Sequence, residues 1–100
     1  MSVITIKLAP TELMGQFYFS KDPAAVAREN LDRYTVATHF MNSTVSGEDA
    51  AEEAFDVTNN PGRQDERELV YGRGRSVSVG DVVNVDGVDY LCASTGWEVL

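Results

Sequence analysis

The sequence predicts an α+β fold: a small, mainly antiparallel sheet with one or two helices packed on it and a C-terminal β-hairpin. Three observations carry this. Residues 2–8 alternate apolar and polar side chains with the period of two that a half-buried strand requires. Residues 48–58 sort into an apolar face and an acidic face at helical spacing. Two valine-rich runs flank Asp86-Gly87, a dipeptide that suits a type I′ hairpin turn because both central residues need positive φ.

In Ser-Val-Ile-Thr-Ile-Lys-Leu (2–8), Ile4, Ile6 and Leu8 point one way and Val3, Thr5 and Lys7 the other. Pro10 ends the strand. Thr11 is placed to cap a short helical turn through Met14, which Gly15 stops. Phe17-Tyr18-Phe19 reads as core packing on a second strand, with an exposed aromatic patch as the alternative. Pro23 at a first helical position, after a cap at Ser20 or Asp22, predicts a helix near 23–32 carrying Ala24, Ala25, Val26, Ala27 and Leu31.

Tyr34 to Met41 is rich in β-branched and aromatic residues and reads as a strand. Tyr34, Val36, Thr38 and Phe40 share one face; Thr35, Ala37, His39 and Met41 share the other. The clearest helix is 47–58. Ser46 stands at the N-cap, and Asp49, three residues on, makes a weak capping box. Ala50, Ala51, Ala54, Phe55 and Thr58 fall on one side, and Asp49, Glu52, Glu53 and Asp56 on the other. Asn59-Asn60-Pro61-Gly62 ends it.

Residues 63–75 form a polar connection with Arg63, Arg67, Arg73 and Arg75. Leu69, Val70 and Tyr71 suggest a brief edge strand within it, and Gly72 to Arg75 a loop. The hairpin pairs Val82–Val85 with Val88–Cys92. Gly96 then breaks the chain, and Trp97 to Leu100 adds a last short strand. The sheet combines the N-terminal strand, the 34–41 strand and the hairpin, with strand order left open.

One hundred residues are read as a single domain, 1–100, with no room for separate cofactor and substrate domains. The chain is 43% hydrophobic and 24% charged, which excludes disordered and fibrous classes. Sixteen acids against eight bases give a formal charge of −8. That field opposes nucleic-acid phosphates and anionic membranes. One cysteine and one histidine exclude an internal disulfide and a structural zinc site, and no cofactor is expected. The N-terminal apolar stretch contains Lys7 and lacks a basic region ahead of it, so no signal peptide is expected. The expected location is cytoplasmic, with the oligomeric state open.

Few residues point to chemistry. His39 lies in an alternating strand and Cys92 in a hairpin strand, and each reads as a packing or surface residue rather than a catalyst. The acids Glu48, Asp49, Glu52, Glu53 and Asp56 read either as a solvated helix face that complements the helix dipole or as a recognition face for a basic partner. Gly-Arg-Gly-Arg-Ser at 72–76 reads either as a loop with local ion pairs or as a small anion-binding loop using Arg73 and Arg75. Trp97, near the C-terminus, is a core residue or an interface anchor.

Four phrases carry a resemblance: Ala-Phe-Asp-Val-Thr-Asn-Asn (54–60), Arg-Ser-Val-Ser-Val-Gly-Asp-Val-Val (75–83), Val-Asp-Gly-Val-Asp-Tyr (85–90) and Gly96-Trp97. Over nearly half its length the chain resembles the YodL-like domain and, more closely, a set of small proteins of actinobacterial phages. The resemblance implies a bacteriophage or mobile-element accessory that counters host defences or redirects host processes, in the host cell cytoplasm. It attaches no catalytic residue. The leading expectation is a non-enzymatic protein that binds a host protein through Glu48, Asp49, Glu52, Glu53, Asp56, Arg73, Arg75 or Trp97. The alternative is a nucleic-acid or phosphate-ligand binding module using the arginines of 63–75.

Overall fold

Five strands hydrogen-bond in the order β2-β1-β3-β4-β5, every neighbouring pair antiparallel. The computed structural model describes residues 2–42, 44–72 and 74–100. The strands are β1 (Ser2–Leu8), β2 (Thr35–Asn42), β3 (Val82–Val85), β4 (Val88–Ala93) and β5 (Gly96–Val99). The helices are α1 (Met14–Phe19), α2 (Pro23–Asn30), α3 (Gly47–Asn59) and α4 (Gln64–Val70). Short 3-10 turns cover Thr11–Leu13, Leu31–Arg33 and Pro61–Arg63. The predicted α+β class and C-terminal hairpin are present.

The alternation in β1 becomes burial. Ile4 and Ile6 are inaccessible and face α3, while Val3 stays exposed on the opposite side. Ala50, Ala51 and Ala54 are likewise inaccessible, and their small side chains let α3 lie close across β1 and β3. Val83, Val85, Val77, Tyr71 and Cys92 complete this cluster. A second cluster occupies the other face at one end of the sheet, where Leu13 and Phe17 meet Ala24, Ala27, Val82 and Leu91. Adjacent residues Val82 and Val83 therefore bury on opposite faces, which explains a continuous apolar run rather than an alternating one.

The hairpin turn has Asp86 at φ 51° and Gly87 at φ 91°, the positive values a type I′ turn needs. Asp86 is further held because the Val3 amide donates to its carboxylate at 2.8 Å. Asp22 caps α2 by accepting from the Ala25 amide at 3.2 Å, with Pro23 at the first position. Ser46 occupies the N-cap of α3, but its side chain makes no capping bond.

Three local expectations are corrected. The turn at Thr11 does not stop at Gly15: it runs on into α1, with Gly15 inside the helix. The aromatic triplet is helical rather than extended, so its residues diverge: Phe17 is buried, and Tyr18 and Phe19 are exposed. Leu69-Val70-Tyr71 is no edge strand. Asp65 and Glu66 open α4 with favourable first-turn charge, and only Val70 and Tyr71 turn toward the core.

Candidate functional site

The acids of α3 divide into two groups. Glu53 and Asp56 face Arg63. Arg63 Nη1 donates to Asp56 at 2.8 Å, Nη2 to Glu53 and Glu66, and Nε to Glu66 at 3.1 Å. The bonds from Glu66, Glu53 and Asp56 raise the guanidinium's pKa further, and Arg63 holds the Glu66 carboxyl below its usual range. At this end of the helix one guanidinium is shared among three carboxylates, which offsets their charge only in part.

Glu48, Asp49 and Glu52 are exposed, and among the described residues none of them forms a salt bridge. Glu52 instead accepts a 2.8 Å hydrogen bond from Trp97 Nε1 on β5. The Trp97 ring also meets Phe55 edge-on, centroids 6.4 Å apart at 86°. Between α3 and the β4–β5 turn lies a groove of about 190 Å³, lined by Glu52, Phe55, Cys92, Ala93 and Trp97 among others. Its wall offers an aromatic face and the Glu52 carboxylate together, a combination that receives a lysine or arginine side chain by charge and cation–π attraction. Thus Trp97 and Glu52, separate in sequence, meet on one surface.

The arginines of 63–75 go elsewhere. Arg67 donates to the Thr58 and Gly74 carbonyls and to Ser76 Oγ at 3.0 Å, and its guanidinium lies over the Tyr71 ring at 5.3 Å. Arg75, expected at an exposed contact, turns inward to Asp81 and the Ala9 carbonyl. A third of its side chain stays accessible. Arg73 lies outside the described residues. The described arginines of this segment thus spend donors on protein groups rather than on an open anion cradle.

His39 and Cys92 are not brought together. His39 is exposed on β2, and Cys92 is buried on β4, with β1 and β3 between them. Three strand spacings separate them by about 14 Å across the sheet, with a further three-residue offset along the strands, and they lie on opposite faces. The Cys92 thiol is pushed up to about 12, chiefly by burial and then by the charges of Asp81 and Glu52. Such a thiol is not a nucleophile at neutral pH. Among the described residues, no cluster of His, Cys, Asp or Glu could hold a metal ion, and no helix is long and apolar enough to cross a membrane.

No family model, curated protein or solved structure matches this chain.

Within the Arg75–Val83 phrase, each polar residue has a structural task. Asp81 is inaccessible and accepts from the Ala9 amide at 2.8 Å and the Ser78 amide at 2.9 Å. Ser76 reaches beyond its own strand entry: its hydroxyl donates to the Thr58 carbonyl at 2.6 Å, joining this segment to the end of α3. Gly80, at φ 97°, passes against the Phe17 ring. The pairing of Asp81 with Arg75 is not legible in the sequence, since no periodicity marks an acid that meets an arginine across an irregular loop.

Proposed function

We propose that this chain is a non-enzymatic accessory protein, of the kind phages and other mobile elements carry, that binds and modulates a host protein in the host cytoplasm. The observation that carries the reading is the Trp97–Glu52 contact beside Glu48 and Asp49. A half-exposed tryptophan bordering uncompensated carboxylates favours a basic protein surface with an arginine or lysine at its centre. The net charge of −8 supports attraction of such a partner over distance. Glu53 and Asp56 take the lesser part, being paired with Arg63. The inward-turned Arg67 and Arg75 weaken the case for a phosphate or nucleic-acid ligand.

The test is capture from nuclease-treated lysate of an actinobacterial host, using the wild-type chain and a Glu48→Lys/Asp49→Lys/Trp97→Ala variant. One dominant protein retained by the wild type and lost by the equally stable variant is the expected result. Equal capture by both, or recovery only of proteins that vanish with nuclease, overturns the reading.

A further inference from the structure

The outer edge of β2 is open. It ends the sheet, paired with β1 on one side and with no described strand on the other. From Tyr34 to Gly47 the sequence has no Asp, Glu, Lys, Arg or Pro. Edge strands are ordinarily protected by such residues. The inner ladder does carry a bulge, where Ile6 pairs Thr38 and Lys7 pairs Val36, leaving Ala37 over. The regular run is therefore Thr38–Asn42.

Backbone polarity along this run follows from the register. The Val3 carbonyl accepts from the Asp86 amide, so the polar groups of Val3 point toward β3. Val3 opposes Met41, and Thr5 opposes His39. The N–H and C=O groups of Met41 and His39 thus point away from β1, into the open edge. Exposed apolar side chains gather at the same place. Val36 is 56% and Met41 66% accessible, and Val3, opposite Met41, is 44%. On the α3 face the Val70 carbonyl of α4 accepts the Thr38 hydroxyl at 2.7 Å.

We propose that this edge pairs with β2 of a second copy, antiparallel about a two-fold axis at Phe40, giving one ten-stranded sheet. With the axis at Phe40, His39 opposes the second copy's Met41 and Met41 its His39. Their outward N–H and C=O groups then meet as two hydrogen-bonded pairs. The two Phe40 side chains stand opposite one another on the face that carries α3. Charge selects the occupant. A partner drawn by charge is directed to the acidic end of α3, whereas the uncharged strand is the one long edge where two chains of −8 approach with least repulsion. The other sheet edge, β5, is four residues long and carries Glu98, so β2–β5 pairing into open filaments is disfavoured.

Sedimentation equilibrium of the full chain, from roughly 1 μM to 500 μM, tests this. A rise from 11.0 kDa to twice that mass is expected. His39→Pro removes only an outward-pointing N–H, and Met41→Lys sets a charge at the seam. Each should raise the dimer dissociation constant about tenfold or more, since symmetry makes each change count twice. If His39→Pro does not fold, Met41→Lys decides. A constant 11.0 kDa, a dimer indifferent to both changes, or growth beyond the dimer overturns the proposal.

Discussion

Arg75 closes on both carboxylate oxygens of Asp81, Nη1 to Oδ2 at 2.5 Å and Nη2 to Oδ1 at 2.7 Å. Asp81 is fully buried, and the same guanidinium reaches the Ala9 carbonyl at 3.0 Å. Asp81 also takes the amides of Ala9 and Ser78. Its charge, and the Arg75 charge it holds, are thus satisfied by bonds that join the end of β1 to the loop entering β3. Donating to Asp81 raises the Arg75 pKa, and Tyr34 nearby is raised chiefly by burial and then by the Asp81 charge.

Arg75→Met leaves Asp81 buried without its counter-charge. Breaking such a pair costs about 3–5 kcal/mol, and the partial exposure of Arg75 sets the expectation at about 3 kcal/mol. Urea denaturation should show the midpoint falling. Arg75→Lys should recover less than half of the loss, because an ammonium does not bridge two oxygens. Full recovery by lysine would show that charge alone, not the bidentate geometry, matters here.

Gly80→Ala meets two obstacles. A Cβ there would lie 2.3 Å from Phe17 Cδ2, and the backbone sits at φ 97°. Together these should cost on the order of 3 kcal/mol. Phe17→Leu in the same chain should return part of the overlap, so the two changes will not add. A double-mutant cycle by thermal unfolding reads this directly; strict additivity would place the strain in the backbone alone.

The fold was more legible than the surface. Period-two and period-3.6 patterns located β1, β2 and α3, a cap followed by Pro23 located α2, and Asp86-Gly87 located the hairpin turn. These signals are local, and local geometry obeys them. Leu69-Val70-Tyr71 misled because three apolar residues fit a strand or a helix turn equally. Tertiary contact of Val70 and Tyr71 with the core settles it. The aromatic triplet misled in its conformation: it is helical, so Phe17 packs in the core as expected, against Gly80 more than sixty positions away, while Tyr18 and Phe19 turn outward. At the candidate site, the acids and Trp97 were visible as residue types. That Arg63 silences Glu53 and Asp56, while Trp97 reaches Glu52, depends on α4 and β5 folding back onto α3.

Stability should fall as pH rises above about 9. The Cys92 thiol is raised from an ordinary 9.0 to about 12 in the folded chain. The folded state keeps this proton while the unfolded state releases it, so the unfolded state binds fewer protons across that window. The stabilisation is whole below pH 9 and is lost toward pH 12. Tyr34 and Tyr71, raised mainly by burial, act in the same direction. Melting temperature against pH should therefore decline on the alkaline side, less steeply in Cys92→Ala. An unchanged slope would assign the decline to the tyrosines.

Arg63→Gln should cost about 1 kcal/mol, because its ion pairs are only partly buried and its loss leaves neighbouring acids unopposed. It should also free Glu53 and Asp56 and extend the acidic face along α3. A basic partner captured by the wild type should then bind severalfold more tightly at low salt, and lose that gain as salt rises. Weaker binding would mean that Arg63 itself touches the partner.

Of the five described strands, the earliest in sequence is a central one. β1 lies between β2 and β3, and Ile4 finds its second neighbour in Val85. As the chain leaves the ribosome, β1 meets β2 early but waits for nearly all of the remaining sequence before its other edge is covered. Pairings this distant slow folding and prolong the exposure of unpaired strands. A nascent chain stalled short of the hairpin would leave the inner edge of β1 uncovered, the state in which a chaperone or a protease would meet it.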